Sequence, residues 1–123
     1  FAAALNYLSQ ISMEQIRRHE IELNRIFLEA LATIPELVIV GPKEAEQRTG
    51  LVSFYHPQIH AHDLAELLNQ SGFALRAGFH CAIPLHKDRQ WPATLRASYY
   101  LYNQGSELEQ LVAALKKALQ KFR

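Results

Sequence analysis

The 123 residues contain one cysteine, Cys81, inside the stretch RAGFHCAIPL that spans residues 76–85. His80 precedes it, and arginines stand on both sides of it, Arg76 before and Arg96 after. A thiol reacts as the thiolate, and nearby cations favour that form. Gly78 and Pro84 bracket the cysteine and predict a loop, where reactive groups concentrate on a scaffold. A lone buried cysteine is instead a small apolar filler. The residues alone leave both readings open, and exposure decides between them.

The other candidates carry weaker signals. Arg96 falls inside a strand pattern, where it is either a solvated side chain or a planar fork for a carboxylate. Arg76 has the same two readings. Two groups of histidines raise the question of a metal: His56, His60 and His62, and His80 and His86 around Cys81. Neither has the spacing of a standard zinc signature, so no metal ligand is assigned. A Cys–His hydrolase needs a histidine that reaches the thiol, and sequence neighbours rarely do. Trp91 and the tyrosines suit packing better than a stacking platform. No glycine-rich phosphate loop, no glycine fingerprint and no carboxylate pair in a recognisable setting is present.

The elements that must hold these residues can be placed by periodicity. Residues 2–10 favour a helix. SMEQ has the form of a capping box, Ser12 with Gln15, opening a second helix that Pro35 ends. LVIVG (37–41) and LVSFY (51–55) are short strands separated by a polar loop. HDLAELLNQSG (62–72) is a helix stopped by Gly72. FALRA (73–77) is strand-like, GFHCAIP (78–84) is a loop, and KDRQWP has room for one helical turn. TLRASYYLY (94–102) alternates as a strand should. SELE then suggests a second capping box, Ser106 with Glu109. An amphipathic helix follows through Leu108, Leu111, Val112, Leu115, Leu119 and Phe122. The order α-β-β-α-β-β-α predicts an α+β fold: a small mixed or antiparallel sheet with helices packed on one face, in a single domain over residues 1–123.

Bulk properties narrow the function. Apolar residues make up 49% and charged residues 20%, which suits one globular core. Thirteen basic and twelve acidic residues are mixed along the chain, for a net charge of +1. This predicts neither a nucleic-acid partner nor a membrane surface. Lys116, Lys117, Lys121 and Arg123 suit the C-terminal end of a helix dipole. No apolar run reaches membrane-spanning length, and a single cysteine allows no internal disulfide, so a cytoplasmic setting is expected. The opening FAAALNYLSQ starts within a helix-like stretch and without Met, which suggests a fragment of a longer protein.

LRAGFHCAIPL followed by TLRASYYLYN resembles the C-terminal small domain of cysteine desulfurases and selenocysteine lyases. These are pyridoxal phosphate enzymes of the class V aminotransferase fold, and the likeness is to the Suf/Csd type. It covers the whole chain, with NYLSQISMEQIRRHE and HAHDLAELLNQSGFALRAG also similar. The resemblance implies that Cys81 takes sulfur from L-cysteine as a persulfide and releases L-alanine. It implies that Arg96 clamps the substrate carboxylate and that Arg76 is a second arginine near the site. The role of His80 stays open. Phe79 departs from the family, where a histidine or another polar residue is common. Family members hold pyridoxal phosphate through a lysine, an aspartate and a stacking histidine in a large upstream domain. No cofactor residue is therefore assigned here, and the fragment alone is expected to be inactive. The implied parent is a homodimer that passes sulfur to an acceptor protein, as in iron–sulfur cluster assembly. Selenocysteine lyase is the nearest alternative. A non-enzymatic interaction or sulfur-carrier domain is the alternative from another class.

Overall fold

A computed structural model describes residues 1–122, so Arg123 of the expected C-terminal basic cluster lies outside the described residues. Five helices and four strands follow in chain order: α1 (Ala2–Ile11), α2 (Met13–Leu31), β1 (Val38–Val40), β2 (Leu51–Tyr55), α3 (Ala61–Gln70), β3 (Arg76–Gly78), α4 (Ile83–Asp88), β4 (Thr94–Ser98) and α5 (Gly105–Gln120). The sheet is antiparallel throughout, in the order β1-β2-β4-β3. The predicted α+β class is the one observed.

Alternation along the strands explains the layering. Val52, Phe54, Leu95 and Ala97 point to one face and are buried. They pack with Leu23, Phe27 and Leu31 of α2, Leu64 and Leu68 of α3, and Leu111 and Leu115 of α5. Phe27 meets the edges of Phe54 and Tyr99, with ring centroids 6.3 and 6.0 Å apart. Truncating such a fully buried phenylalanine costs about 3–5 kcal/mol, so the α2–sheet contact is a main support of the fold. Asn24, also buried on α2, donates to the carbonyls of Ala45 and Arg48 and accepts from the Tyr99 hydroxyl. These bonds tie α2 to the loop before β2 and satisfy a polar group that would otherwise be costly to bury.

Several boundaries differ from expectation. Ser12 separates α1 from α2 with φ 80° and makes no side-chain cap, so the Ser12–Gln15 box is absent. Its backbone does the joining: its N–H donates to Leu8 and its carbonyl accepts from Ile16. α2 stops at Leu31 rather than at Pro35, because the following turn swings Ile34 into the core. The α5 cap sits two residues earlier than predicted. Gln104 is the N-cap, and Glu107 bonds back to its N–H at 2.7 Å. β4 ends at Ser98, not Tyr102. The Asn103 side chain accepts from the Tyr100 N–H at 2.9 Å and closes a turn that competes with the strand.

Gly72 does stop α3. At φ 88° it supports a paired C-terminal motif, with Gly72 N–H to Asn69 and Phe73 N–H to Leu68, both 2.9 Å. That motif occupies residues 71–73, so β3 begins at Arg76 instead of Phe73. The expected loop through Pro84 is shorter than predicted, because Pro84 lies in the first turn of α4. A proline is tolerated there, since those N–H groups have no helical partner.

Candidate active site

Strand register places the two arginines together. Arg76 of β3 lies directly opposite Arg96 of β4, and Arg96 also faces Ser53 of β2. All three are on the sheet face away from the core. Like charges directly opposite each other destabilise a sheet. Among the described residues, neither arginine forms an ion pair with a carboxylate. The Nε of Arg96 is buried and has no hydrogen-bond partner. Such orphans are rare and call for an explanation. A bound carboxylate resolves both features, since it accepts from the guanidinium fork and separates the like charges.

The cysteine is presented just beyond β3. Gly78 ends the strand with φ 130°, a conformation that suits glycine. Residues 79–82 then form a tight turn, closed by the Ala82 N–H donating to the Phe79 carbonyl at 2.8 Å. His80 and Cys81 at its centre have φ of 52° and 61°. Asparagine and glycine normally fill this left-handed pair. Other L-residues cost about 1–3 kcal/mol each there and persist where surroundings hold them. Cys81 is exposed, which excludes the filler reading.

Thr94 sits under this turn, buried at the start of β4 and in register with Gly78. The His80 Nε2 lies 3.2 Å from the Thr94 carbonyl and 3.0 Å from its hydroxyl. A carbonyl only accepts, so Nε2 carries the proton and Nδ1 of the neutral ring is bare. That Nδ1 is buried and has no partner. His86, buried on α4, donates from Nδ1 to the Ala82 carbonyl at 3.0 Å. Its Nε2 then accepts from the Thr94 hydroxyl at 3.4 Å.

Burial, and next the Arg96 charge, hold the His80 pKa below the ordinary histidine value; His86 and Arg76 add to this, and the bond to Thr94 opposes it. As pH falls, the unfolded chain therefore takes up this proton first. The contribution is complete above about pH 6.5 and is lost as pH drops below it. Urea titrations at about pH 8 and pH 5 should show a smaller acid loss in His80→Gln than in the unaltered chain. Equal losses would remove His80 as the source.

The structure thus brings Arg76 and Arg96 together and sets Cys81 on the turn that directly follows Arg76's strand. The Thr94 link was not legible in the sequence. The signal for it was Pro84: taken as a first-turn proline, it puts His86 one helical turn after Ala82. Among the described residues the histidines grouped in the sequence do not form a three-ligand cluster. His60 stacks on His62 at 5.1 Å, His56 accepts from the Gln58 N–H, and among the described residues no three potential ligands come together.

Comparison with known proteins identifies the family. The aminotransferase class-V family model matches residues 1–111. A probable cysteine desulfurase 2 of Mycobacterium leprae is 43% identical over 98% of this chain, which spans 29% of that protein's length. The apo structure of a cysteine desulfurase from Thermococcus onnurineus superposes with a TM-score of 0.91 at 32% identity, over 98% of this chain and 30% of that one. The cysteine desulfurase CsdA (S-sulfonic acid) from Escherichia coli gives 0.86 at 33% identity, over 97% and 29%. Fold, length of match and sequence agree, and the chain belongs to the aminotransferase class-V family.

Proposed function

We propose that this chain is the C-terminal small domain of a pyridoxal phosphate-dependent cysteine desulfurase, with Cys81 as its persulfide carrier. The observation that carries the reading is the exposed Cys81 on a held left-handed turn, directly after a strand whose arginine pairs across the sheet with Arg96. Arg96, with Arg76 beside it, binds the carboxylate of L-cysteine and fixes the amino acid by its planar end. The Cys81 thiolate attacks the substrate sulfur. An S–S bond forms, the carbon–sulfur bond breaks with its electron pair left on the carbon fragment, and that fragment takes a proton and leaves as L-alanine. A sulfur acceptor protein then collects the sulfane sulfur from the exposed turn.

The residues present do not make a pyridoxal phosphate site by themselves. A Schiff-base lysine is activated by a desolvated or cationic pocket. Lys43, Lys87, Lys116, Lys117 and Lys121 are all exposed. On this reading the cofactor is held by residues outside this chain, in a large domain of a homodimeric, cytoplasmic parent that serves iron–sulfur cluster assembly. Among the described residues no helix is long and apolar enough to cross a membrane.

Two assays test the reading together. The full-length protein given L-cysteine should release L-alanine and leave the Cys81 peptide one sulfur atom heavier by mass spectrometry. The 123-residue chain alone should neither acquire the visible absorbance of bound pyridoxal phosphate nor release alanine. Cofactor absorbance in the isolated chain, or an unmodified Cys81 peptide during turnover, would overturn it. L-selenocysteine turned over in preference to L-cysteine would make the enzyme a selenocysteine lyase using the same residues.

A further inference from the structure

We infer that His80 is a positioning residue for the Cys81 thiol, acting through the bond from its Nε2–H to Thr94; the inference rests on Cys81 being the persulfide carrier. Two consecutive left-handed residues without asparagine or glycine do not hold themselves. Apart from two backbone bonds, Ala82 N–H to Phe79 and His86 N–H to the Ala82 carbonyl at 3.1 Å, the hydrogen-bonded side-chain ties described for it meet at one buried residue. His80 reaches Thr94 directly. Ala82 reaches it through His86, whose ring joins the Ala82 carbonyl to the Thr94 hydroxyl. The Phe79 ring rests its edge on His86, with centroids 5.3 Å apart. Among the described residues Cys81 makes no side-chain hydrogen bond, and it stands exposed between two anchored neighbours. Its direction is therefore set by the residues on either side, and Thr94 is fixed in turn by its register in β4.

Two substitutions separate the bond from the turn preference. Gln at position 80 places an amide N–H where Nε2–H stands, but it suits a left-handed backbone poorly. Asn suits that backbone well but is too short to reach Thr94. In the full-length enzyme, His80→Gln should keep persulfide formation within about threefold of the unaltered enzyme, while His80→Asn should lose about tenfold or more, since small misplacements of a reacting group are costly. Amide hydrogen exchange at Ala82, which closes the turn, should stay slow in His80→Gln and quicken in His80→Asn.

An Asn variant as active as the unaltered enzyme would show that backbone preference suffices and overturn the inference. A Gln variant as impaired as Asn would assign the effect to the bare Nδ1 and overturn it too. If the unaltered enzyme forms no persulfide, the desulfurase reading fails, and the exchange comparison alone decides: faster exchange only in Asn supports the positioning role, and no difference refutes it.

Discussion

Replacing Cys81 with alanine should lower persulfide formation by the full-length enzyme about 10³-fold or more, the scale seen when a nucleophile is removed. This chain offers no other thiol, because Cys81 is its only cysteine. The cofactor's visible absorbance should persist, because Cys81 is exposed on a turn outside the hydrophobic core. Stability should change little, since alanine meets the same left-handed backbone and loses no side-chain hydrogen bond. Stopped-flow absorbance with L-cysteine, together with a sulfide assay after reductant, provides the measurement. Near-normal persulfide yield would remove Cys81 from the chemistry, and loss of the cofactor would make its role structural.

The second large effect is expected at Arg96. Arg96→Ala should lower kcat/KM for L-cysteine about 10²-fold, because removing one partner of a partly buried charge pair costs roughly 2–5 kcal/mol. Most of the change should appear in KM if the carboxylate is held equally in ground and transition states. Arg96→Lys keeps the charge and loses the fork, so it should recover only part of the loss. The free domain should behave differently. Without a bound anion, Arg96→Ala removes a like charge from opposite Arg76 and an unpartnered buried Nε, so the variant should be no less stable than the unaltered chain. An unchanged KM for cysteine would sink the carboxylate role.

How much of this was legible in the sequence follows from where short-range patterns decide the structure. Alternation in Thr94–Ser98 placed Arg96 on the face away from Leu95 and Ala97, and Gly72 marked the end of α3. These depend on period and on backbone freedom, which single residues reveal. Ser12 is the N-cap of α2 as read but makes no side-chain bond, while the α5 cap was misplaced by two residues because several polar residues compete near that helix start and tertiary contacts select among them. The Arg76–Arg96 pairing depends on register between strands distant in sequence. The bond from His80 to Thr94 depends on that register and on a helix that begins at Ile83, where Pro84 had suggested a loop. Proximity to Cys81 made His80 visible, but its partner lay fourteen residues away in a buried strand.

The like-charged pair across β3 and β4 also bears on the order of events. β3 is three residues long, forms one edge of the sheet, and meets β4 with two arginines directly opposite each other. Its pairing is thus weakest when no anion is present. Any ligand that binds the folded form and not the frayed one stabilises it by mass action. A carboxylate between the arginines would therefore fasten β3 to the sheet, and with it the backbone that leads through Gly78 to Cys81. On the proposed function, filling the carboxylate site and ordering the turn that bears Cys81 would then be thermodynamically linked, so each occupied site would arrive with its nucleophile already in place.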